Sequence, residues 1–366
     1  MIEAYGRSDN RRAFAQLLGT LLPIALLWWA TARGARISLW IPVALVPLLA
    51  LFTLRVFTLM HDCGHDSLFR GRTLNQAFGF MLGVLTGMPQ YVWAKHHNFH
   101  HAHNGNWEKY RGPYATRSIA EYEAMTHGQQ AFYHGKCSIG ASPIAGFIYL
   151  VFNPRFTWLA GTLALAVHVL GRALVAPRAS LAEHVTCFQT RYWKTRAEYW
   201  HMFWNNIVLL SIWALMSWAI GPLLFFSVYV ASVSLAGAAG IVLFTVQHNF
   251  EYAYASETRD WDFDTGAIRG SSLLVLPAWL NWFTLDIAFH HIHHLSASIP
   301  NYRLAACHRE YAELFGEVRR ITLAQVPTSL KCILWDVSAR QIITVAEWQQ
   351  RCLKEGPLLG AVRQGR

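Results

Sequence analysis

Eighteen of the 366 residues are histidine, and eleven of those fall in three short clusters. The first is His61-Asp62-Cys63-Gly64-His65, whose two imidazoles stand four residues apart and share one face of a helix. The second, His96-His97-Asn98-Phe99-His100-His101 with His103 beyond it, places His97, His100 and His101 at i, i+3 and i+4. The third, His290-His291-Ile292-His293-His294, repeats that spacing with His290, His293 and His294. Polar clusters of this density are costly to bury without partners, and neutral imidazole is a strong ligand for iron, copper, nickel or zinc. Metal binding is the chemistry these residues point to. A zinc protease would need Glu after the first histidine of box one, where Asp62 stands.

The boxes offer two, three and three ligands. One ion takes about six at most, so eight imply two ions. His248, in Val246-Gln247-His248-Asn249-Phe250-Glu251, is a ninth candidate. Zinc sites are usually four-coordinate, whereas imidazole-rich sites with open positions suit redox metals such as iron.

The elements that must hold these residues are membrane helices. The chain is 54% hydrophobic and 14% charged, and has 16 Trp. A soluble domain carries roughly 25% charged residues. A span needs about 20 mostly apolar residues; 13–32, 38–60, 201–220 and 223–247 qualify, as two hairpins turning at Arg33-Gly34-Ala35-Arg36 and at Gly221-Pro222. Arg11-Arg12, the apolar run that follows and Ala30-Thr31-Ala32 resemble a secretion signal. The run is longer than such signals use, so a retained helix is expected. Lys and Arg number 11 in residues 95–196 and 12 in 259–366, with none from 197 to 258. Both basic stretches therefore face the cytoplasm, and the apolar stretches 77–93 and 143–171 are expected to lie in the interface rather than span. The expected fold is thus an all-α integral membrane protein, one domain over 1–366, with a His-rich cap formed by 61–200 and 248–366. Within the tail, Glu310 to Arg320 and Val345 to Leu353 read as amphipathic helices. The net charge of +10 suits anionic lipid or an acidic protein partner; no compact Lys/Arg run points to nucleic acid. Six scattered cysteines without a CxxC pair fit reduced thiols.

With Ser67-Leu68-Phe69 after box one, Trp93 before box two, Gly105-Asn106 after it, Gln247-His248, and Ile299-Pro300-Asn301-Tyr302 after box three, the chain resembles the membrane fatty acid desaturases, the histidine-box di-iron proteins. The resemblance covers roughly residues 50–340. Arg269-Gly270-Ser271-Ser272 and Trp282-Phe283-Thr284 resemble the bacterial acyl-lipid branch, related to the omega-6 (delta-12-like) enzymes. It implies two irons held by His61, His65, His97, His100, His101, His290, His293 and His294, with His248 as a ninth ligand, and O2 as cosubstrate. Some relatives carry an Asn ligand one turn before the ninth histidine; here Phe244 occupies that position. No His-Pro-Gly-Gly haem segment occurs, which implies a separate electron donor such as a ferredoxin or a b-type cytochrome.

Breaking an unactivated C–H bond is beyond acid–base chemistry and within reach of a metal–oxygen species. Neutral ligands leave iron charge uncancelled, so neighbouring carboxylates matter; Asp62, Asp66, Glu251 and Asp286 are the candidates, Asp286 through its four-residue spacing from His290. The expected reaction is insertion of a C=C bond into a membrane lipid's acyl chain, at a metal site facing the cytoplasm from a bacterial inner membrane. Two other readings stand beside it. A hydroxylase or ketolase acting on an alkane, sterol or carotenoid would share the boxes. A His-rich metal transporter would place ionisable residues inside its spans, where this chain has almost none. Acyl length, bond position, lipid carrier and oligomeric state are not encoded in these motifs.

Overall fold

The computed structural model describes residues 2–112 and 115–355, so the last eleven residues of the expected cap lie outside the described residues. The described chain is mostly helical. Five helices are long and apolar enough to cross a membrane: α1 (Asn10–Gly34), α2 (Trp40–Gly64), the run Ile139–Val175, Arg196–Ile220 and Pro222–His248. Four match the expected spans, each extended by a few residues. The fifth contains the stretch 143–171 expected in the interface. Asn153-Pro154, a pair that interrupts the apolar run in sequence, follows a π-turn over Ile148–Phe152 that carries the helix through. Proline lacks an N–H, and a widened turn accommodates that loss without ending the helix.

Between box one and box two lies α3 (Arg72–Thr86), and α4 (Gln90–His103) carries box two. At 15 residues, α3 reaches about 22 Å, short of a span. It ends where Gly87 turns left-handed at φ 81°, a conformation glycine adopts at little cost. In chain order the long helices that follow are α5 (Ile139–Val175), α6 (Arg196–Ile220) and α7 (Pro222–His248). Thr195 caps α6 by accepting from the Glu198 N–H at 3.3 Å. Gly221 at φ 89° turns the chain into α7, and Pro222 opens that helix, where its missing N–H costs nothing.

Two compact units emerge from the packing, each drawn from separated stretches of chain. One comprises residues 13–96 and 146–237 and gathers most of the apolar helices. Its buried Arg55 donates to Thr20 Oγ1 at 2.9 Å, tying α2 to α1. Phe14, Phe69 and Phe78 cluster with ring centroids 5.1–5.7 Å apart. The other unit comprises residues 1–12, 97–145 and 238–366, and here the all-α expectation is corrected. β1 (Arg117–Ser118) runs parallel to β4 (Cys332–Asp336), which pairs antiparallel with β5 (Gln341–Thr344); β2 (Ser272–Val275) runs parallel to β3 (Arg319–Thr322). The tail expectation is half right. Residues 345–355 are helical, but 310–320 breaks into a short 3-10 turn and β3. Arg319-Arg320-Ile321-Thr322 buries Ile321 alone, the period-2 pattern of a strand.

The first residues belong to this second unit. Residues Ile2–Gly6 form a 3-10 turn whose Tyr5 hydroxyl bonds the Glu310 carboxylate, and the Asp9 N–H donates to the Tyr302 hydroxyl at 2.7 Å. Ile2 and Tyr5 pack on a core of Ile292, Ile299, Leu304 and Phe315, directly beneath box three.

Candidate metal centre

Each box stands where a helix ends. α2 continues past its apolar stretch through Gly64, carrying His61 on its last turn and His65 at its C-cap. The His61 and His65 rings lie 4.8 Å apart. α4 carries box two, α7 terminates on His248, and α8 (His290–Leu295) is box three itself. The apolar part of α7 thus delivers an imidazole at its end.

Within the second unit two sets of nitrogens converge. His100, His248, His290 and His294, all buried, each bring one ring nitrogen within 4.8 Å of the others. His290 Nε2 lies 2.9 Å from His248 Nε2 and 3.1 Å from His294 Nε2. His97, His101 and His293 form a set of their own, with His97 and His101 Nε2 atoms 3.0 Å apart and the His101 and His293 rings 4.5 Å apart. The His101 and His294 rings stack at 4.2 Å, linking the two sets. His96 and His103 stay outside. His291 turns away, bonding His308 at 3.1 Å.

Two imidazole nitrogens facing each other can share one proton, so one nitrogen facing two others cannot satisfy both. Protonation is no remedy. Burial first, and neighbouring imidazoles second, hold His294 well below the usual histidine range. Its Nδ1 is buried without a partner. His248 Nδ1 faces the Gly270 carbonyl at 3.2 Å; a carbonyl only accepts, so the proton sits on Nδ1 and Nε2 offers its lone pair. A metal ion satisfies such a cluster of facing lone pairs. An octahedral ion with metal–nitrogen bonds of about 2.1 Å puts adjacent nitrogens about 3.0 Å apart, and a tetrahedral one about 3.4 Å. The three shortest separations, 2.9–3.1 Å, are near the octahedral edge.

The four candidate carboxylates separate cleanly. Asp62 is buried with its Oδ1 3.0 Å from His61 Nδ1, so it holds the Nδ1 proton and presents Nε2. Asp66 is half exposed, 3.7 Å from Arg72. Glu251 is half exposed and pairs with Arg319 at 3.4 Å. Asp286 does not share a helix with His290. Leu285 and Asp286 are both left-handed, at φ 53° and 55°, and α8 begins only at His290, so the four-residue spacing is not helical spacing.

Sequence reasoning missed two neighbours of the site, Asn104 and Tyr110, and named a third, Phe244, only as the residue standing where some relatives carry Asn. Asn104 is buried directly after box two and donates from Nδ2 to the carbonyls of Gly266 and Gly270 at 2.8 and 3.2 Å. It therefore fixes the same carbonyl that orients His248. An amide immediately following a run of histidines was the available signal. Phe244 lies 5.0 Å from both the His100 and His248 rings, an apolar wall where an Asn ligand was in question. Tyr110 lies 4.5 Å from the His100 ring.

Residues 38–324 match the family model described as fatty acid desaturase. Among individual proteins, a fatty acid desaturase of Bacillus subtilis is 28% identical over 344 residues, covering 94% of this chain and 88% of that protein. An sn-1 oleoyl-lipid 12-desaturase of Anabaena variabilis is 21% identical, covering 85% of this chain and 79% of its own length. An sn-1 acyl-lipid omega-3 desaturase (ferredoxin) of Synechocystis is 23% identical, covering 72% and 66%.

Proposed function

The chain belongs to the fatty acid desaturase family, and from that premise we propose that it is an O2-dependent, di-iron acyl-lipid desaturase. His100, His248, His290 and His294 would hold one iron. His97, His101 and His293 begin the second set, to which the resemblance adds His61 and His65. The observation that carries this reading is the set of four buried imidazoles whose nitrogens converge, with His290 Nε2 lying 2.9–3.1 Å from two of the others.

Bound iron supplies what no side chain has: redox chemistry able to remove two hydrogens from adjacent unactivated carbons. The chain's own residues prepare the site. Asp62 and the Gly270 carbonyl each hold an Nδ1 proton and so turn an Nε2 lone pair outward. Asn104 fixes that carbonyl. Phe244 presents an apolar ring to the histidines, which excludes water from one side.

The names of the relatives suggest an acyl chain carried on a lipid and a ferredoxin as electron donor, with a b-type cytochrome as the other candidate. The charge distribution supports a cytoplasmic site in a bacterial inner membrane, four crossings, and α5 lying along the interface. The interleaved segments of the two units support reading the whole chain as one catalytic domain. Gas chromatography of lipids from a host expressing the chain, with metal analysis of the purified protein, tests the proposal. New O2-dependent double bonds and two irons per chain are expected. New hydroxyl groups alone, or one zinc and no iron, would overturn it.

A further inference from the structure

Arg155 is a charged residue on a long apolar helix, and it is tied down by neutral acceptors alone. It sits just after the π-turn of α5. Its guanidinium donates to Asn206 Oδ1 at 2.7 Å, to Asn205 Oδ1 at 2.5 Å and to the Gly87 carbonyl. All three acceptors are neutral. Among the described residues no carboxylate pairs with it. A guanidinium has five N–H donors, so two remain.

The groups around it are also left with donors to spare. Asn205 is spent, since its amide donates to the Met88 carbonyl at 3.3 Å. Asn206, only 3% exposed, has a buried Nδ2 with no hydrogen-bond partner, and the buried Tyr229 hydroxyl, which accepts from the Trp213 indole, keeps its own O–H to donate. Tyr229 lies near enough to Arg155 for the two to interact electrostatically. A fixed positive charge beside unspent donors and no anion is a half-built anion site. Its depth is given by the aromatic residues Tyr199, Trp200 and Trp204, which precede Asn205 on α6; Trp200 and Trp204 are exposed. Exposed tryptophans mark the headgroup level of a bilayer.

We propose that Arg155, Asn206 and Tyr229 form a binding site for the phosphodiester of a membrane phospholipid. The site holds the lipid by its charged group and leaves its acyl chains to the exposed apolar face of α5. Nothing in this assignment depends on the reaction the irons perform.

The test uses the full chain purified in detergent, with lipid retention read by native mass spectrometry and iron content measured in parallel. Titrated phosphatidylglycerol is expected to bind the wild-type protein, while diacylglycerol with the same chains does not. Arg155→Gln should weaken phosphatidylglycerol binding by about tenfold or more with iron content unchanged. Because Arg155 also ties α5 to α6, that variant could unfold. Tyr229→Phe leaves those ties intact and should weaken binding by a few-fold at unchanged Tm. Diacylglycerol or oleate binding as tightly as phosphatidylglycerol would overturn the phosphodiester assignment. A folded Arg155→Gln or Tyr229→Phe protein that binds phosphatidylglycerol like wild type would overturn the site.

Discussion

A single nitrogen shows how strongly the centre is specified: His290 Nε2 faces two other imidazole nitrogens within 3.1 Å. His290→Ala removes the common neighbour of that set, so iron should fall from two per chain to at most one, and new double bonds should vanish, by metal analysis and gas chromatography. The carboxylates divide at the same scale. Asp62→Asn replaces an acceptor that holds the His61 proton and should lower metal affinity about 10–100-fold, whereas Asp66→Asn and Glu251→Gln, on half-exposed pairs, should leave metal affinity unchanged; competition with a chelator separates them. The histidine clusters were legible because helical spacing groups them, and the fold brings His100, His248, His290 and His294 together. Sorting the four carboxylates was not, because their standing depends on burial and on a backbone turn at Leu285-Asp286 that hydropathy does not register.

The elements place each ligand by ending on it. Gly266 illustrates how tightly they close: a Cβ there would meet the Asn104 carbonyl oxygen at 2.4 Å, on the segment that follows box two. Gly266→Ala should therefore cost roughly 1–3 kcal/mol by overpacking, and should also reduce iron loading, because Asn104 and the Gly270 carbonyl move together. A thermal melt and metal analysis on the same sample would show both effects; a lowered Tm with full iron would separate packing from ligand positioning. The long apolar helices were readable from length and charge alone. The strands were not, because β4 is a five-residue buried run and such runs carry no period that distinguishes them from helix. The π-turn over Ile148–Phe152 leaves no mark in hydropathy, so the continuity of the helix past Asn153-Pro154 was not readable either.

Across the whole molecule, burial of imidazole sets a pH dependence. Burial, with His308 as the next cause, pushes His291 down to about 3, and His294 lies well below its ordinary value. Between pH 6.5 and about 3 the unfolded chain therefore binds more protons than the folded one, and stability falls as pH falls through that window. Iron-free protein should melt several degrees lower at pH 5 than at pH 7.5 by differential scanning calorimetry. Iron-loaded protein should lose less over the same interval at first, since the metal holds the lone pairs, and then release iron.

The N-terminal turn has a consequence for how the protein is made. Residues Ile2–Gly6 are synthesised about three hundred residues before Glu310, which bonds Tyr5, and well before the core of Ile292, Leu304 and Phe315 on which they rest. The opening segment must wait undocked through most of translation, and its docking completes the underside of box three. Bulk inserted immediately before Ile2 would hinder that last step, so such a variant should mature with less of its centre formed.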